Sequence, residues 1–301
     1  MKLILTVVLA LTTALTVSAD DAIPGVQNST SSSKSSKWYP RFFNVTSVSQ
    51  KAMKEGGAQA SAYSYLHLNR RLSWTKKIRI ALPFYTNTSG YDDYGDYEGM
   101  HTEVADPFIG YVVSRPVLLP GSISTHSESR IYFPVSEFSR ESKQIAAFRQ
   151  DFILEKTIAR KTVLWSWPKF RYFLQTNTAY QNEFTGRASN TCEWDAEADI
   201  NLTYFINDTF DIGTGIQYEW DSYFESREED LDGYIKETFS HEISLGINLV
   251  KDLRLMVNVG NEWQQRGRNG YQDSRNEVVD YTNDTNVQYA LFMWAGFRDL
   301  F

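Results

Sequence analysis

The sequence predicts an all-β chain folded as a closed antiparallel transmembrane β-barrel of about twelve strands. Three observations carry the prediction. Apolar and polar residues alternate with a period of two along most of the chain, no amphipathic run of helical period interrupts them, and the connections between runs alternate between short and long. Counting back from the C-terminus gives eleven clear strands. Closure with an even number calls for one more, and Tyr39–Val48 (YPRFFNVTSV) supplies it, with ten or fourteen strands as the other closed solutions.

Composition narrows the class. Aromatics make up 15% of the 301 residues, as 18 Tyr, 18 Phe and 8 Trp, which suits either an aromatic-cored soluble β protein or a barrel with aromatic girdles. With 17 Gly and 8 Pro the chain is neither collagen-like nor broadly disordered. Its negative mean hydropathy excludes a bundle of membrane helices. A net charge of −7 without a basic stripe gives no footprint for nucleic acid.

The first residues set the compartment. Lys2, an apolar run from Leu3 to Val17 and small residues before Asp20 make a secretory signal peptide, residues 1–19, with cleavage expected after Ala19. Residues 20–37 are polar and small, a Ser-rich flexible segment with nothing to bury, and the barrel is expected over 38–301. The single Cys192 forms no internal disulfide, so a closed ladder would have to hold the fold.

Short connections are expected near Ser73–Lys77, Leu118–Ser122, Ala159–Thr162, Asn207–Thr209 and Lys251–Leu253. Long polar ones are expected near Lys51–Gly57, Thr86–Asp106, Glu137–Lys143, Gln181–Thr191, Glu225–Ile235 and Gln264–Asn286. A soluble sandwich mixes the two lengths, whereas a membrane barrel puts short turns at one end and long loops at the other.

The later strands show their faces clearly. Cys192, Trp194, Ala196, Ala198, Ile200, Leu202 and Tyr204 oppose Glu193, Asp195, Glu197, Asp199, Asn201 and Thr203. Phe210, Ile212, Ile216, Tyr218 and Trp220 oppose Asp211, Gly213, Gly215, Gln217 and Glu219. A slip of one residue would flip every set, so the register is firmly specified. In a barrel the apolar set faces lipid, with Trp194, Tyr204, Phe210, Tyr218 and Trp220 at interface depth.

The last run, Val287–Phe301 (VQYALFMWAGFRDLF), alternates in the same way. Tyr289, Leu291, Met293, Ala295, Phe297 and Phe301 share a face that is apolar except for Asp299. A chain ending on such a strand, with an aromatic as its final residue, resembles bacterial outer-membrane β-barrel proteins. The resemblance implies location in the outer membrane and contact with its lipid. It also implies that Tyr289, Leu291, Met293, Phe297 and Phe301 act as the signal read by the insertion machinery. It names no substrate and no specific family.

Two sets of residues are candidates for function. Glu193, Asp195, Glu197, Asp199, Asp211, Glu219, Asp221, Glu242 and Glu262 would form an acidic wall of the lumen. Arg71, Arg79, Arg130, Arg149, Lys169 and Arg171 would form a basic wall facing it. Such walls set up a field across the bore that sorts small polar and charged solutes, so a passive channel is expected. The alternative is a non-enzymatic surface or structural barrel, its lumen closed by acids and bases pairing across the bore, with loops that bind a partner.

No catalytic, cofactor-binding or metal residues are assigned. The outer-membrane phospholipases use a His-x-Ser-Asn-Gly context on a lipid-facing strand, which His126-Ser127-Glu128 and His67-Leu68-Asn69 lack, and His241-Glu242-Ile243 has no adjacent nucleophile. Asp221 and His241 fall at loop-side strand ends, where an omptin-like protease would need paired Asp as well. The acidic stretches Tyr91–Asp106 and Glu228–Asp232 lack calcium-loop spacing and read as solvated loops.

Overall fold

The computed structural model describes residues 38–49, 60–88, 100–114, 122–181, 188–226, 231–250, 253–266 and 287–296. The first strands are β1 (Trp38–Ser49), β2 (Ala60–Arg71) and β3 (Lys76–Thr88). A broken strand follows, in two pieces, β4 (Met100–Val104) and β5 (Phe108–Val113). Next come β6 (Ser124–Tyr132), a short helix α1 (Glu137–Glu141), β7 (Gln144–Ala159) and β8 (Thr162–Gln175). A hairpin of β9 (Ala179–Gln181) and β10 (Ala188–Asn190) leads to β11 (Cys192–Phe205) and β12 (Phe210–Tyr223). The chain then forms β13 (Tyr234–Val250), β14 (Leu253–Arg266) and β15 (Val287–Gly296).

Counting β4 and β5 as one and leaving out the separate β9–β10 hairpin, these make a closed barrel of twelve strands, each antiparallel to its neighbours. The first strand, least regular in pattern, makes the closure. Phe43 of β1 stands opposite both Tyr65 of β2 and Trp294 of β15.

The distribution of exposed and covered side chains separates this fold from a soluble sandwich. Ile200, Leu202, Ile212, Ile216, Ile243, Leu245, Val257 and Leu291 are 39% to 52% exposed. Their polar neighbours on the opposite face, Asp199, Asn201, Thr203, Asp211, Asp221, Arg254 and Asn258, are only 1% to 9% exposed. Aliphatic rows outside and charges inside are stable when hydrocarbon, not water, bathes the outer surface. Exposed aromatics mark the ends of the apolar band: Trp38, Trp74, Tyr204 and Phe210 at the short-turn end, Phe133 and Phe138 at the loop end.

The connection expected over Thr86–Asp106 is divided differently. β3 runs on to Thr88, β4 pairs with it from Met100, and the ladder breaks only at Ala105–Pro107. Pro107 has no N–H to give the ladder. Asp106 uses the break to fasten the next connection. Its Oδ1 accepts from the backbone N–H groups of Val135 (2.9 Å) and Ser136 (2.8 Å). Its Oδ2 accepts from the Ser139 hydroxyl and from Gln144 Nε2 (3.3 Å). Ser136 in turn caps α1 by accepting from the Ser139 N–H. The short helix is therefore held over the rim by one carboxylate.

Candidate functional site: the lumen wall

Cross-strand register puts most of the charged residues in two adjacent rows. The first row runs Asn69, Arg79, Gly110, Arg130, Arg149, Arg171, Asp195, Asp221 and Lys236 around the inner wall. The second runs Lys77, Val112, Glu128, Asp151, Lys169, Glu197, Glu219 and Thr238. Adjacent like charges in a sheet repel. Here the carboxylates of the second row reach diagonally to relieve the arginines. Glu128 Oε2 accepts from Arg79 Nη1 (2.7 Å) and Arg130 Nη2 (3.0 Å). Asp151 lies 3.0 Å from Arg130 and accepts from Arg149 Nε at 2.6 Å.

The basic and acidic stretches adjoin instead of facing each other, which corrects the expected geometry. β8 and β11 are neighbours in the sheet although a hairpin separates them in the chain. Arg171 therefore bonds Asp195 (2.6 Å), and Lys169 bonds Glu197 and, at 2.8 Å, Asp199. Farther round, Lys236 lies 3.4 Å from Asp221. Arg254 donates Nη1 and Nη2 to the two oxygens of Asp211 at 2.6 and 2.8 Å.

The remaining predicted residues are scattered. Glu242 accepts from Asn258 Nδ2 at 2.5 Å, and Glu262 is exposed at the loop end of β14. Arg71 is exposed at the short-turn end, directly opposite Lys77, where it extends the second row onto β2. Glu193 is not part of the regular face: the register shifts between Cys192 and Trp194, so Glu193 has no partner on β12. Phe297 and Phe301 lie outside the described residues, while Leu291 is on the exposed apolar face. The acidic stretch at 91–99 and residues 227–230 also lie outside them.

Glu128, Asp151, Lys77, Lys236 and Arg254 are lumen residues that the candidate sets omit. Strict period-two counting from Arg130 and Arg149 would have found Glu128 and Asp151, each two residues away on the same face.

Glycines let these side chains lie along the wall. A Cβ on Gly110 would sit 2.6 Å from Glu128 Oε1, because the Glu128 side chain crosses β5 to reach Arg79 on β3. Gly246 gives the same passage to the Asp211–Arg254 pair across β13, and Gly215 accommodates Asn201. Gly110→Val is accordingly expected to push Glu128 off Arg79 into the bore and to destabilise the barrel by about 1–3 kcal/mol. Urea unfolding in lipid vesicles, followed by tryptophan emission, measures the loss.

Another part of the inner wall is aromatic. Phe43, Tyr65, Phe108 and Tyr132 form a chain with ring centroids 5.7, 6.1 and 5.0 Å apart, and Trp294 joins Phe43 at 5.4 Å. His67 packs within it, 5.3 Å from the Tyr65 ring. The Arg130 guanidinium lies 4.7 Å over Phe108 and that of Arg171 4.7 Å over Phe173. His241 is on the outer face, where its Nε2 is 3.0 Å from the Thr214 hydroxyl. That hydroxyl is also 3.1 Å from the Glu242 carbonyl, so these groups satisfy one another.

The chain matches no protein-family profile and no curated protein sequence. Its fold is similar to that of solved bacterial outer-membrane channels. An outer membrane channel from Pseudomonas putida F1 superposes with a TM-score of 0.59 at 10% identity, over 93% of this chain and 100% of that one. The NanC porin aligns with a TM-score of 0.45 at 10% identity, over 85% of this chain and 98% of that one. A deletion mutant of the TodX monoaromatic hydrocarbon channel gives 0.40 at 8% identity, over 86% and 90%. The fold is that of the broad porin-like class of outer-membrane β-barrels.

Proposed function

We propose that this protein is a passive outer-membrane channel for small polar or charged solutes, with the charged rows of the inner wall setting its selectivity. One observation carries the reading. The lumen ion pairs named above all join side chains on the same strand, adjacent strands or strands one apart. Pairs laid along the wall leave the bore free, whereas a lumen closed by its own charges would need pairs across it. The likeness to the Pseudomonas putida channel supports the same direction at the level of fold. On this reading residues 1–19 are removed on export, the final strand directs insertion, and the partners are outer-membrane lipid and the insertion machinery.

Conductance of the refolded protein in a planar bilayer tests the proposal. A stable open level is expected, and silent bilayers with loop-dependent partner binding would replace the channel with the surface-barrel reading. Lys169 shares Glu197 and Asp199, so the cluster carries one excess negative charge. Glu197→Gln with Asp199→Asn reverses that excess and should lower the cation-to-anion permeability ratio. An unchanged ratio would remove these acids from the solute path.

A further inference from the structure

On its loop side the arginine row borders a row of rings and alanines. Across the sheet Ala81 stands opposite Phe108, Phe108 opposite Tyr132, Tyr132 opposite Ala147, and Ala147 opposite Phe173. Ala81, Phe108, Tyr132 and Ala147 are 0% to 6% exposed and make a sealed apolar floor. Tyr65 and Phe173 pack against that floor but are only half-buried, so each keeps part of its ring open to the bore.

A second observation, independent of the rings, concerns the guanidinium groups beside them. Arg149 follows Ala147 on the same face of β7 and stands directly opposite Arg130 on one side and Arg171 on the other. Like charges so placed repel, and the carboxylates answer them incompletely. Four arginines, Arg79, Arg130, Arg149 and Arg171, are bonded to three carboxylates, Glu128, Asp151 and Asp195, which leaves one positive charge in excess. Arg149 gives only its Nε, to Asp151. Its Nη1 and Nη2 have no partner among the described residues, and the side chain is 17% exposed. Arg171 gives Nε and Nη2 to Asp195 and keeps Nη1, while the buried Nε of Arg130 has no partner either.

We propose that this corner of the lumen binds an aromatic carboxylate, its anion held by Arg149 and Arg171 and its ring laid against Phe173. The Arg171 guanidinium lies 4.7 Å over the Phe173 ring, which brings donor and ring together. A carboxylate gains charge-assisted hydrogen bonds from guanidinium nitrogens that lack an acceptor. An aromatic ring gains more against Phe173 than an aliphatic group of its size. A small anion or a neutral ring satisfies only one half of the site. The assignment names a solute class for the channel proposed above and rests on that reading for its role in transport, whereas the site itself is tested by binding.

Equilibrium dialysis of the refolded barrel in detergent, with empty micelles as the blank, compares benzoate, acetate and benzamide. Benzoate is expected to bind about tenfold or more tightly than either of the others. Arg149→Gln leaves Asp151 its bond to Arg130 at 3.0 Å and should weaken benzoate binding about tenfold. Phe173→Leu should weaken benzoate binding about threefold and leave acetate unchanged. If either variant misfolds on a heat-modifiability gel, the ranking of the three probes on the wild type decides. Benzoate binding no tighter than acetate or benzamide, or unchanged in folded Arg149→Gln, overturns the site. Planar-bilayer conductance keeps the two readings apart. A conducting barrel that does not distinguish benzoate from acetate loses the site and keeps the channel, and a silent barrel that binds benzoate in this pattern keeps the site and loses the channel.

Discussion

Asp211→Ala is expected to destabilise the barrel by about 3–5 kcal/mol, because it leaves a buried guanidinium without its counter-ion. Asp211 is 1% exposed and Arg254 6%. The two are joined by a bidentate pair that crosses β13 over Gly246. Arg254 Nη1 is also 3.0 Å from Asn248 Oδ1, too little to hold the charge once the carboxylate is gone. The double variant Asp211→Leu with Arg254→Met removes both charges and should be close to neutral, since desolvating the pair offsets much of its attraction. Equilibrium urea unfolding in lipid vesicles measures both. A loss below about 1 kcal/mol in Asp211→Ala would mean that water or lipid headgroups reach Arg254 and that this part of the wall is not sealed.

Such pairs were only half legible in the sequence. Period two is a local property of the backbone, so spacing alone is enough to put Asp211 and Arg254 on the polar faces of their strands, although only Asp211 was among the candidates. Nothing local says that the residue of β13 lying between them is Gly246, because that depends on register across three strands. The same limit explains the acidic and basic stretches. Each was readable along its own strand, but the adjacency of β8 and β11 had to come from closure of the sheet. Glu193 failed for the opposite reason. Its spacing is perfect on paper, and a one-residue bulge, which has no signature in CEWD, takes it out of the ladder. Strand number was recoverable because the ends of strands carry turn residues. Asp106 was not, since its role is to hold residues 29 to 38 positions away.

The inside-out assignment itself is tested by placing one charge on each face of the same sheet. Ile200 is 47% exposed, lies between Ala198 and Leu202 on the apolar face of β11, and has aromatic Trp194 and Tyr204 toward either end of that row. Ile200→Arg places a guanidinium near the middle of the hydrocarbon band and is expected to cost about 2–4 kcal/mol. Two strands away, Ser240 faces the lumen beside Gln217, whose Oε1 it reaches at 3.2 Å. Ser240→Arg adds the same side chain to a wet, acidic wall and is expected to change stability by less than about 1 kcal/mol. In a soluble sandwich the order would be reversed. Ile200 would be the core position, Ser240 a solvent position, and the fold would survive without lipid or detergent. Unfolding free energies in vesicles therefore decide the matter by their ranking. A larger loss at Ser240 than at Ile200 would turn the molecule outside in, and the lumen, its charge rows and the channel would go with it.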